Sequence, residues 1–130
     1  MKKEIINTEK APKAIGPYSQ AVKFGDFIFT SGQIPIDPES GELISDISKA
    51  TSQCIENLKC ILKEAGTSLN NVIKTVIYMR NLEEFSIVNQ VYATYFTENQ
   101  PARSCVEVSA LPKDAIIEIE AVAYIDSQKE

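Results

Sequence analysis

The sequence predicts an α+β fold in which a mixed β-sheet carries two helices on one of its faces. Two segments have a single helical apolar stripe, and five others are short runs rich in β-branched and aromatic residues, in the order β-β-α-β-α-β-β. A small leading strand at residues 3–6 is a further candidate. The length of 130 residues, with 44% apolar and 24% charged residues, fits one compact domain over residues 1–130. The sheet face without helices has no cover within the chain, so we expect a homo-oligomer.

A hairpin and a surface loop come first among the main elements. Residues 21–23 and 27–31 are short apolar runs, and the dipeptide Gly25-Asp26 between them favours a tight turn that joins antiparallel strands. Residues 35–41 carry two prolines and a glycine. This composition predicts a loop at the surface after the second strand.

Two helices and one strand occupy the middle of the chain. Between residues 48 and 65 the apolar residues recur on one helical face, and Gly66 predicts where that helix ends. Residues 72–79 are rich in β-branched side chains and predict a buried strand. Asn81, followed by a Glu three positions later, predicts the start of a second helix. That helix must end before Pro101.

The last two predicted strands carry the polar side chains that could perform chemistry. They span residues 102–108 and 116–125. The period of two places Arg103, Cys105 and Glu107 on one side of the first strand, and Glu118 and Glu120 on one side of the second. If the strands lie close together with these sides matched, an arginine, a thiol and up to three carboxylates converge. Such a face is either solvated, with ion pairs worth about 0.2–1 kcal/mol each, or an anion-binding site with an acid/base group.

Three other positions give weaker signals when each is taken alone. Tyr18, in a segment with a flexible Gly and a rigid Pro, either fills a surface hollow or forms the wall of a ligand site. Gly32 ends the second hairpin strand, where the backbone either approaches a ligand or simply bends. Asn89 lies beside the apolar face of the second helix, where a surface amide is the ordinary interpretation.

Charge and composition exclude several kinds of chemistry. The chain has 13 basic and 18 acidic residues, a net charge of −5, which argues against nucleic-acid binding because phosphate contacts need a basic surface. It contains no His. This absence removes the Ser-His and Cys-His nucleophile pairs and most zinc sites.

Cysteine usage and hydropathy indicate the compartment. Cys54, Cys60 and Cys105 lack the paired spacing of a metal knuckle or a redox motif, so we expect reduced thiols in a cytoplasmic protein, and no metal. No apolar stretch follows the lysines at the N-terminus, and none approaches the roughly 20 residues that span a bilayer. We therefore expect neither a secretory signal peptide nor a membrane span.

Five segments, in this order, resemble a single known family. They are Ala14-Ile15-Gly16-Pro17-Tyr18-Ser19-Gln20, Thr30-Ser31-Gly32-Gln33-Ile34-Pro35, Pro101-Ala102-Arg103-Ser104-Cys105-Val106-Glu107-Val108, Leu111-Pro112-Lys113-Asp114 and Ile117-Glu118-Ile119-Glu120-Ala121. The pattern resembles the Rid family, also called YjgF-like, of deaminases that act on reactive enamines and imines, and in particular its RidA branch. The likeness runs from about residue 7 to residue 125.

The resemblance implies a fold, an assembly and an activity. The fold is a chorismate-mutase-like α+β fold that assembles as a homotrimer, with three sites at the subunit interfaces. The implied activity is hydrolysis of small 2-imino acids, such as 2-iminopropanoate and 2-iminobutanoate, to 2-oxo acids and ammonia. No cofactor takes part in that reaction.

The resemblance also implies roles for the residues of the last two strands. Arg103 matches the arginine that clamps the substrate carboxylate, and Glu118 matches the acid/base group that positions and activates the attacking water. Glu120 is the alternative carboxylate if the strand register differs. Cys105 lies at a substrate-lining position, where its backbone N–H can hold the substrate and its thiol acts as a wall and not as a nucleophile.

Further positions match the family pocket less directly. Gly32 would supply backbone contacts, Tyr18 would close the pocket from a neighbouring subunit, and Asn89 matches a position near the pocket. The loop at residues 97–101 departs from the family pattern: it is short and has Gln before its proline, where better-known members have a longer loop ending in Phe. This departure leaves the pocket rim, and with it the preferred substrate, open.

Two other functions compete with the deaminase. A regulatory trimer could bind a small 2-oxo acid through Arg103 without turnover. Some relatives are described as ribonucleases or translation inhibitors, although the net charge of −5 and the lack of His argue against that chemistry here. A chorismate mutase activity would rest on the fold alone, and fold does not transfer chemistry.

Overall fold

The computed structural model describes residues 2–126 and contains six strands and two α-helices in that range. The strands are β1 Glu4–Ile6, β2 Ala21–Phe24, β3 Phe27–Thr30, β4 Val72–Met79, β5 Ala102–Glu107 and β6 Ile117–Tyr124; the helices are α1 Ile47–Glu64 and α2 Phe85–Tyr95. Residues 1 and 127–130 of the predicted domain lie outside the described range. Every predicted strand and helix is present, and so is the small leading strand.

All six strands form one mixed sheet in the order β1-β2-β3-β6-β4-β5. Neighbouring strands are antiparallel except β4 and β5, which are parallel. The last strand of the chain therefore lies in the middle of the sheet, between β3 and β4. The predicted α+β fold with a mixed sheet is confirmed.

Capping interactions at both ends explain the length of α1. The Asp46 side chain accepts a hydrogen bond of 3.0 Å from the Lys49 N–H at the N-terminus. At the other end Gly66 has φ +90°, in the left-handed region that glycine adopts at little cost. The Thr67 N–H then donates to the Leu62 carbonyl at 2.9 Å. The helix therefore ends at the glycine that the sequence pointed to.

The core lies between the helices and one face of the sheet. Its largest fully buried apolar side chains are Ile55, Leu58, Ile61 and Leu62 of α1 and Ile28, Ile77, Met79, Ile117 and Ile119 of the sheet. Each such side chain stabilises the fold by about 1.5–3 kcal/mol through its removal from water. Cys54 is fully buried in this cluster.

The opposite face of the sheet, which we call the open face, carries large apolar side chains that remain exposed. Phe24, Phe27 and Phe29 are each about half exposed, at 48%, 47% and 49%, and Tyr124 and Val106 lie on the same face. Alternation along β3 explains this, because Ile28 points into the core and its two neighbours point away. The prediction that one sheet face lacks cover within the chain is confirmed.

The second helix begins later than the sequence predicts. Asn81 does cap a turn, since its side chain accepts from the Glu83 N–H at 3.0 Å, but that turn is a 3₁₀ turn over residues 82–84. The Leu82 N–H donates to the Glu107 carboxylate at 2.7 Å, which ties the turn to β5. The α-helix itself starts at Phe85.

Candidate functional site

A cavity of about 520 Å³ opens beside the middle of the sheet, and Glu118 contributes its carboxyl group. The other lining residues come from three loops: Pro12, Lys13, Ile15, Tyr18, Gln20, Ser31, Gly32, Gln33, Ile34, Ile36, Pro112 and Lys113. Glu118 lies on β6, a central strand, so its backbone is fixed by neighbours on both sides. We call this space the Glu118 cavity.

Gly32 determines where the Glu118 carboxyl group can lie. The loop after β3 is held against β6 because Gln33 and Ile119 exchange two backbone hydrogen bonds, of 2.8 and 3.1 Å. A Cβ atom at position 32 would overlap Oε2 of Glu118 and would lie 2.7 Å from its Cδ. Glycine is therefore required for the carboxyl group to lie against the backbone at this point.

Tyr18 forms part of the wall of the same cavity. Its ring is 53% exposed, its N–H donates to the Gly16 carbonyl at 2.9 Å, and its hydroxyl accepts a long hydrogen bond of 3.4 Å from the Ile15 N–H. The segment around it is anchored by Gln20, whose buried amide donates to the Pro12 carbonyl at 2.8 Å. Gln20 ends the Ala14–Gln20 segment that carries the family resemblance, but its anchoring role could not be predicted from the sequence.

The environment of Glu118 favours its protonated form. Partial burial is the larger cause and the negative charge of Glu120 the second, and both raise the pKa of the Glu118 carboxyl group above its usual range. Glu120 lies two residues away on the same face and accepts a hydrogen bond of 3.0 Å from the Tyr78 hydroxyl. A carboxyl group with a raised pKa keeps its proton to higher pH than an isolated glutamate, so it can donate that proton to substrate or water over a wider pH range.

Arg103 lies at a second pocket, of about 420 Å³, lined by Asn89, Tyr92, Ala93, Phe96, Gln100, Pro101 and Arg103 itself. Its guanidinium carbon lies 4.8 Å from the centre of the Tyr92 ring and 5.3 Å from that of Phe85. Its Nη1 donates to the Asn89 side-chain oxygen at 2.9 Å. No carboxylate pairs with Arg103 among residues 2–126, so the oriented cation can receive an anion.

Cys105 faces the helices and not a cavity. Its Sγ lies 3.7 Å from the sulfur of Met79, and the thiol is partly buried. Burial raises the pKa of Cys105, and the charge of Arg103 opposes this only in part. A thiol that stays protonated is a poor nucleophile, which agrees with a Cys105 that forms no covalent intermediate; its side chain lines neither the Glu118 cavity nor the pocket at Arg103.

Arg103 and Glu118 do not converge within one chain, because the condition for their convergence, matched faces of the two strands, is not met. β4 lies between β5 and β6; Arg103 pairs with the core-facing Thr75, whereas Glu118 pairs with Tyr78 on the open face. Cys105 and Glu107 share the side of Arg103, and Glu120 shares that of Glu118. The two groups of polar residues therefore lie on opposite faces of the sheet.

This division separates the predicted site residues into two half-sites. Tyr18, Gly32 and Glu118 form one, whereas Arg103 and Asn89 form the other, with Cys105 beside Arg103. Tyr18 is thus grouped with Gly32 and Glu118 on its own chain. Tyr18, Gly32 and Glu118 lie on the side of the sheet opposite to Arg103.

The short loop at residues 97–101 borders the Arg103 pocket. The Gln100 amide donates to the carbonyls of Phe96 and Thr97, at 3.3 Å each, and Asn99 adopts a left-handed conformation with φ +49°. Gln100 and Pro101 line the pocket directly. The departure from the family pattern therefore lies at the pocket rim, as predicted.

Several residues around Glu118 and Arg103 were not predicted from the sequence. Lys13 and Lys113 line the Glu118 cavity, and Lys113 and Asp114 are consecutive left-handed residues, with φ +56° and +60°. The Leu-Pro-Lys-Asp segment was the available signal for this strained turn. The rings of Phe85 and Tyr92 that pack against Arg103 could not be predicted from strand periodicity, because both residues lie on α2.

Within residues 2–126 no three His, Cys, Asp or Glu side chains are grouped closely enough to hold a metal ion. In the same range neither helix combines the length and apolar character needed to cross a membrane.

An α+β fold with a mixed six-stranded sheet and both helices on one of its faces is the class of protein that the structure defines. The chain belongs to the Rid (YjgF-like) family, since the family model described as Endoribonuclease L-PSP matches residues 8–125. A RutC family protein of Pyrococcus abyssi is 60% identical over 125 residues, covering 95% of this chain and 98% of that protein. The 2-iminobutanoate/2-iminopropanoate deaminase of Salmonella typhimurium is 49% identical over 121 residues, covering 91% of this chain and 94% of that protein.

Solved structures agree with this assignment. RidA from an Antarctic Psychrobacter is 43% identical with a TM-score of 0.91, and the match covers 94% of this chain and 99% of that one. Escherichia coli TdcF, whose structure has bound serine, is 45% identical with a TM-score of 0.89, covering 93% of this chain and 98% of that one. The family resemblance drawn from the sequence is confirmed.

Proposed function

We propose that this protein is a hydrolytic deaminase that converts small 2-imino acids, such as 2-iminopropanoate and 2-iminobutanoate, to 2-oxo acids and ammonia without a cofactor. The observation that carries this proposal is the half-buried Glu118 carboxyl group, seated on Gly32 at a cavity and with its pKa raised. The relatives named as deaminases of these two substrates support it.

The proposed enzyme is a homotrimer whose three sites lie between subunits. The Arg103 and Glu118 half-sites stand on opposite faces of one sheet, so a substrate that contacts both needs a second copy of the chain. The open face supplies a reason to associate, because it exposes three phenylalanines that water disfavours. A closed ring of three copies repeats one contact and creates one complete site at each interface.

In this proposal Arg103 binds the substrate carboxylate. The planar guanidinium offers two parallel N–H donors to a carboxylate, and each charge-assisted hydrogen bond contributes about 1.5–3 kcal/mol. Asn89 and the rings of Phe85 and Tyr92 fix the orientation of the guanidinium before the substrate arrives. When Arg103 holds the carboxylate, C2 of the imino acid faces Glu118 of the neighbouring subunit.

Glu118 then moves the protons of the hydrolysis. Water attacks C2 of the iminium, the C=N π pair moves to nitrogen, and the ionised Glu118 accepts the proton that the water loses. The protonated Glu118 returns this proton to the amino group of the carbinolamine. The C–N bond then breaks with its electron pair leaving on nitrogen as ammonia, while the C=O bond forms and the again-ionised Glu118 accepts the hydroxyl proton. Ammonia takes up this proton, so the products are the 2-oxo acid and ammonium, and Glu118 is ionised for the next cycle. A group that must both accept and donate works best with a pKa near the working pH.

The experiment is the release of ammonia and 2-oxo acid from 2-iminopropanoate and 2-iminobutanoate generated in situ. Wild type should accelerate release over the spontaneous rate, and Arg103→Ala and Glu118→Ala should each lose about 100-fold or more of that acceleration. No acceleration by a correctly assembled wild type would remove the enzymatic proposal for these two substrates.

A second candidate is a regulatory trimer that binds a small 2-oxo or amino acid through Arg103. The structure of TdcF with bound serine favours this alternative, because that relative at 45% identity holds a small carboxylic acid. A sensor of this kind binds 2-oxobutanoate equally well with Glu118→Gln, and it has no turnover to lose. A ribonuclease would need salt-sensitive RNA binding, which a protein with a net charge of −5 is poorly suited to provide.

A further inference from the structure

A second carboxylate and a phenol share the open face with Glu118 and have no part in the mechanism above. Glu120 follows Glu118 by two residues on β6, so the two side chains leave the same face about 7 Å apart along the strand. Tyr78 of β4 lies directly opposite Glu118 in the register, yet its hydroxyl donates to Oε1 of Glu120 at 3.0 Å. The Tyr78 phenol therefore lies beside the Glu118 side chain and holds the Glu120 carboxyl group by a hydrogen bond.

Within residues 2–126 no lysine or arginine side chain forms an ion pair with Glu120. The lysine of β4, Lys74, also lies on the open face, but it donates to the Ser104 hydroxyl at 3.1 Å. The polar partner that the structure gives Glu120 is the neutral phenol. The negative charge of Glu120 is therefore oriented without being cancelled by an ion pair.

The phenol also keeps its proton. Desolvation is the first cause, and the hydrogen bond and charge of Glu120 and the charge of Glu118 add to it; all raise the pKa of Tyr78. A Tyr78 hydroxyl that stays protonated remains a donor throughout the pH range in which carboxyl groups titrate.

Other titratable groups surround Glu118 from the neighbouring elements. They are Lys13, Lys113 and Tyr18 at the cavity, Tyr78 on β4 and, beneath β6, Cys54. Cys54 is buried and its pKa is raised well above the usual value, so it carries no charge. Burial and the charge of Glu120 raise the pKa of Glu118, and neither lysine is among the causes of this shift. Among the charged neighbours, Glu120 is the one with the larger influence.

We propose that Tyr78 and Glu120 are positioning residues for Glu118: the Tyr78 hydroxyl holds the Glu120 carboxylate beside Glu118, and Glu120 sets the fraction of Glu118 that carries a proton. This inference rests on the proposed deaminase function for its catalytic meaning. Its chemical consequence is that the donor form of Glu118, which protonates the departing nitrogen, persists to higher pH than an isolated glutamate would allow.

The test measures the titration of Glu118 directly. Protein labelled with ¹³C at the glutamate side-chain carboxyl is titrated by NMR in its native assembly, and the Glu118 signal is assigned by its absence in Glu118→Gln. The variants are Tyr78→Phe, Glu120→Gln and the double variant. Tyr124→Phe is the matched control, since it removes a phenol from the same face that has no hydrogen bond to Glu120.

Glu120→Gln should lower the Glu118 midpoint by about half to one pH unit, the effect of removing a like charge about 7 Å away at intermediate dielectric. Tyr78→Phe should lower it by a smaller amount, because Glu120 loses the hydrogen bond that holds it and can move away from Glu118. The double variant should match Glu120→Gln, and Tyr124→Phe should match wild type. The limb of the kcat/KM profile that reports Glu118 should move with the NMR midpoint.

The two proposals fail separately. A wild type without deaminase activity overturns the proposed function, while the NMR midpoints still decide whether Glu120 and Tyr78 act on Glu118. An unchanged Glu118 midpoint in Glu120→Gln overturns the inference. So does a Tyr78→Phe midpoint equal to that of Tyr124→Phe, or a loss of activity in Glu120→Gln with no movement of the pH profile.

Discussion

Arg103 and Glu118 project from opposite faces of the same sheet. Arg103 on β5 is aligned with Thr75, which points into the core, and Glu118 on β6 is aligned with Tyr78, which points to the open face. Since β4 lies between the two strands, no change of rotamer can bring the guanidinium and the carboxyl group together on one substrate. The relationship makes the proposed chemistry depend on assembly.

The first prediction is complementation between two inactive variants. Arg103→Ala and Glu118→Gln, each with negligible activity alone, should recover activity when co-expressed, because a mixed trimer can place an intact Arg103 against an intact Glu118. With random mixing in equal amounts, about a quarter of the sites are complete, so about a quarter of wild-type activity should return.

The matched control for complementation is a single chain that carries both substitutions. The Arg103→Ala/Glu118→Gln double variant, co-expressed with either single variant, can form no complete site and should stay inactive. Recovery in this control, or no recovery in purified mixed trimers of the two single variants, contradicts a site shared between subunits.

The second prediction concerns Gly32→Ala. The added methyl group overlaps the end of the Glu118 side chain, which can rotate away, so we expect a fall in Tm of less than about 4 °C. The displaced carboxyl group should cost about 100-fold in kcat. In the background of Glu118→Ala the same substitution should cost nothing further. A similar loss of activity in both backgrounds would show that Gly32 acts independently of Glu118.

The third prediction concerns the orientation of Arg103 by Asn89. Asn89→Asp keeps the shape and adds a charge 2.9 Å from the guanidinium, where it competes with the substrate carboxylate, so KM should rise about tenfold with little change in kcat. Asn89→Ala only removes the orienting bond and should raise KM about threefold. Steady-state kinetics on both variants measures these changes. Equal KM values for Asn89→Asp and Asn89→Ala would contradict the prediction.

The fourth prediction is that Cys105 can be replaced. Its thiol is held protonated by partial burial beside Met79, and water attacks an imine without a covalent intermediate, so Cys105→Ala should keep kcat/KM within about fivefold of wild type. Loss of a true nucleophile costs about 10⁴-fold or more. A fall of that size, with the assembly intact, would falsify the assignment of Cys105 as a wall.

Local signals in the sequence predicted the elements closely because local chemistry sets them. Gly25 adopts φ +63° in the hairpin turn, and Gly66 ends α1 in the left-handed region. Alternation also assigned the faces within each strand correctly, since Glu118 and Glu120 share one face and Arg103 and Cys105 share another. These features depend on a few neighbouring residues.

The relative placement of the two terminal strands could not be predicted in the same way. The sheet order places β6 between β3 and β4, and this choice depends on pairings distant in sequence, such as Phe27 with Tyr124 and Tyr78 with Glu118. Periodicity predicts which residues of one strand point to the same side. It does not predict which sides of two different strands lie on the same face of the sheet. The sequence therefore left open whether the faces of Arg103 and Glu118 match, and the structure shows that they do not.

The last prediction concerns the pH dependence of stability. The pKa of Glu118 is raised in the folded protein by burial and by Glu120, so between the unfolded and folded pKa values the folded state binds more protons. The free energy of unfolding therefore falls as pH rises through this window and stays lower above it. Glu118→Gln, which cannot ionise, should unfold at a higher temperature than wild type at pH 8 and at nearly the same temperature near pH 4. Glu39→Gln, in an exposed loop, controls for the loss of one negative charge and should show no such gain. If Glu118→Gln were less stable than wild type at pH 8, the prediction that ionisation of Glu118 destabilises the folded protein would be wrong.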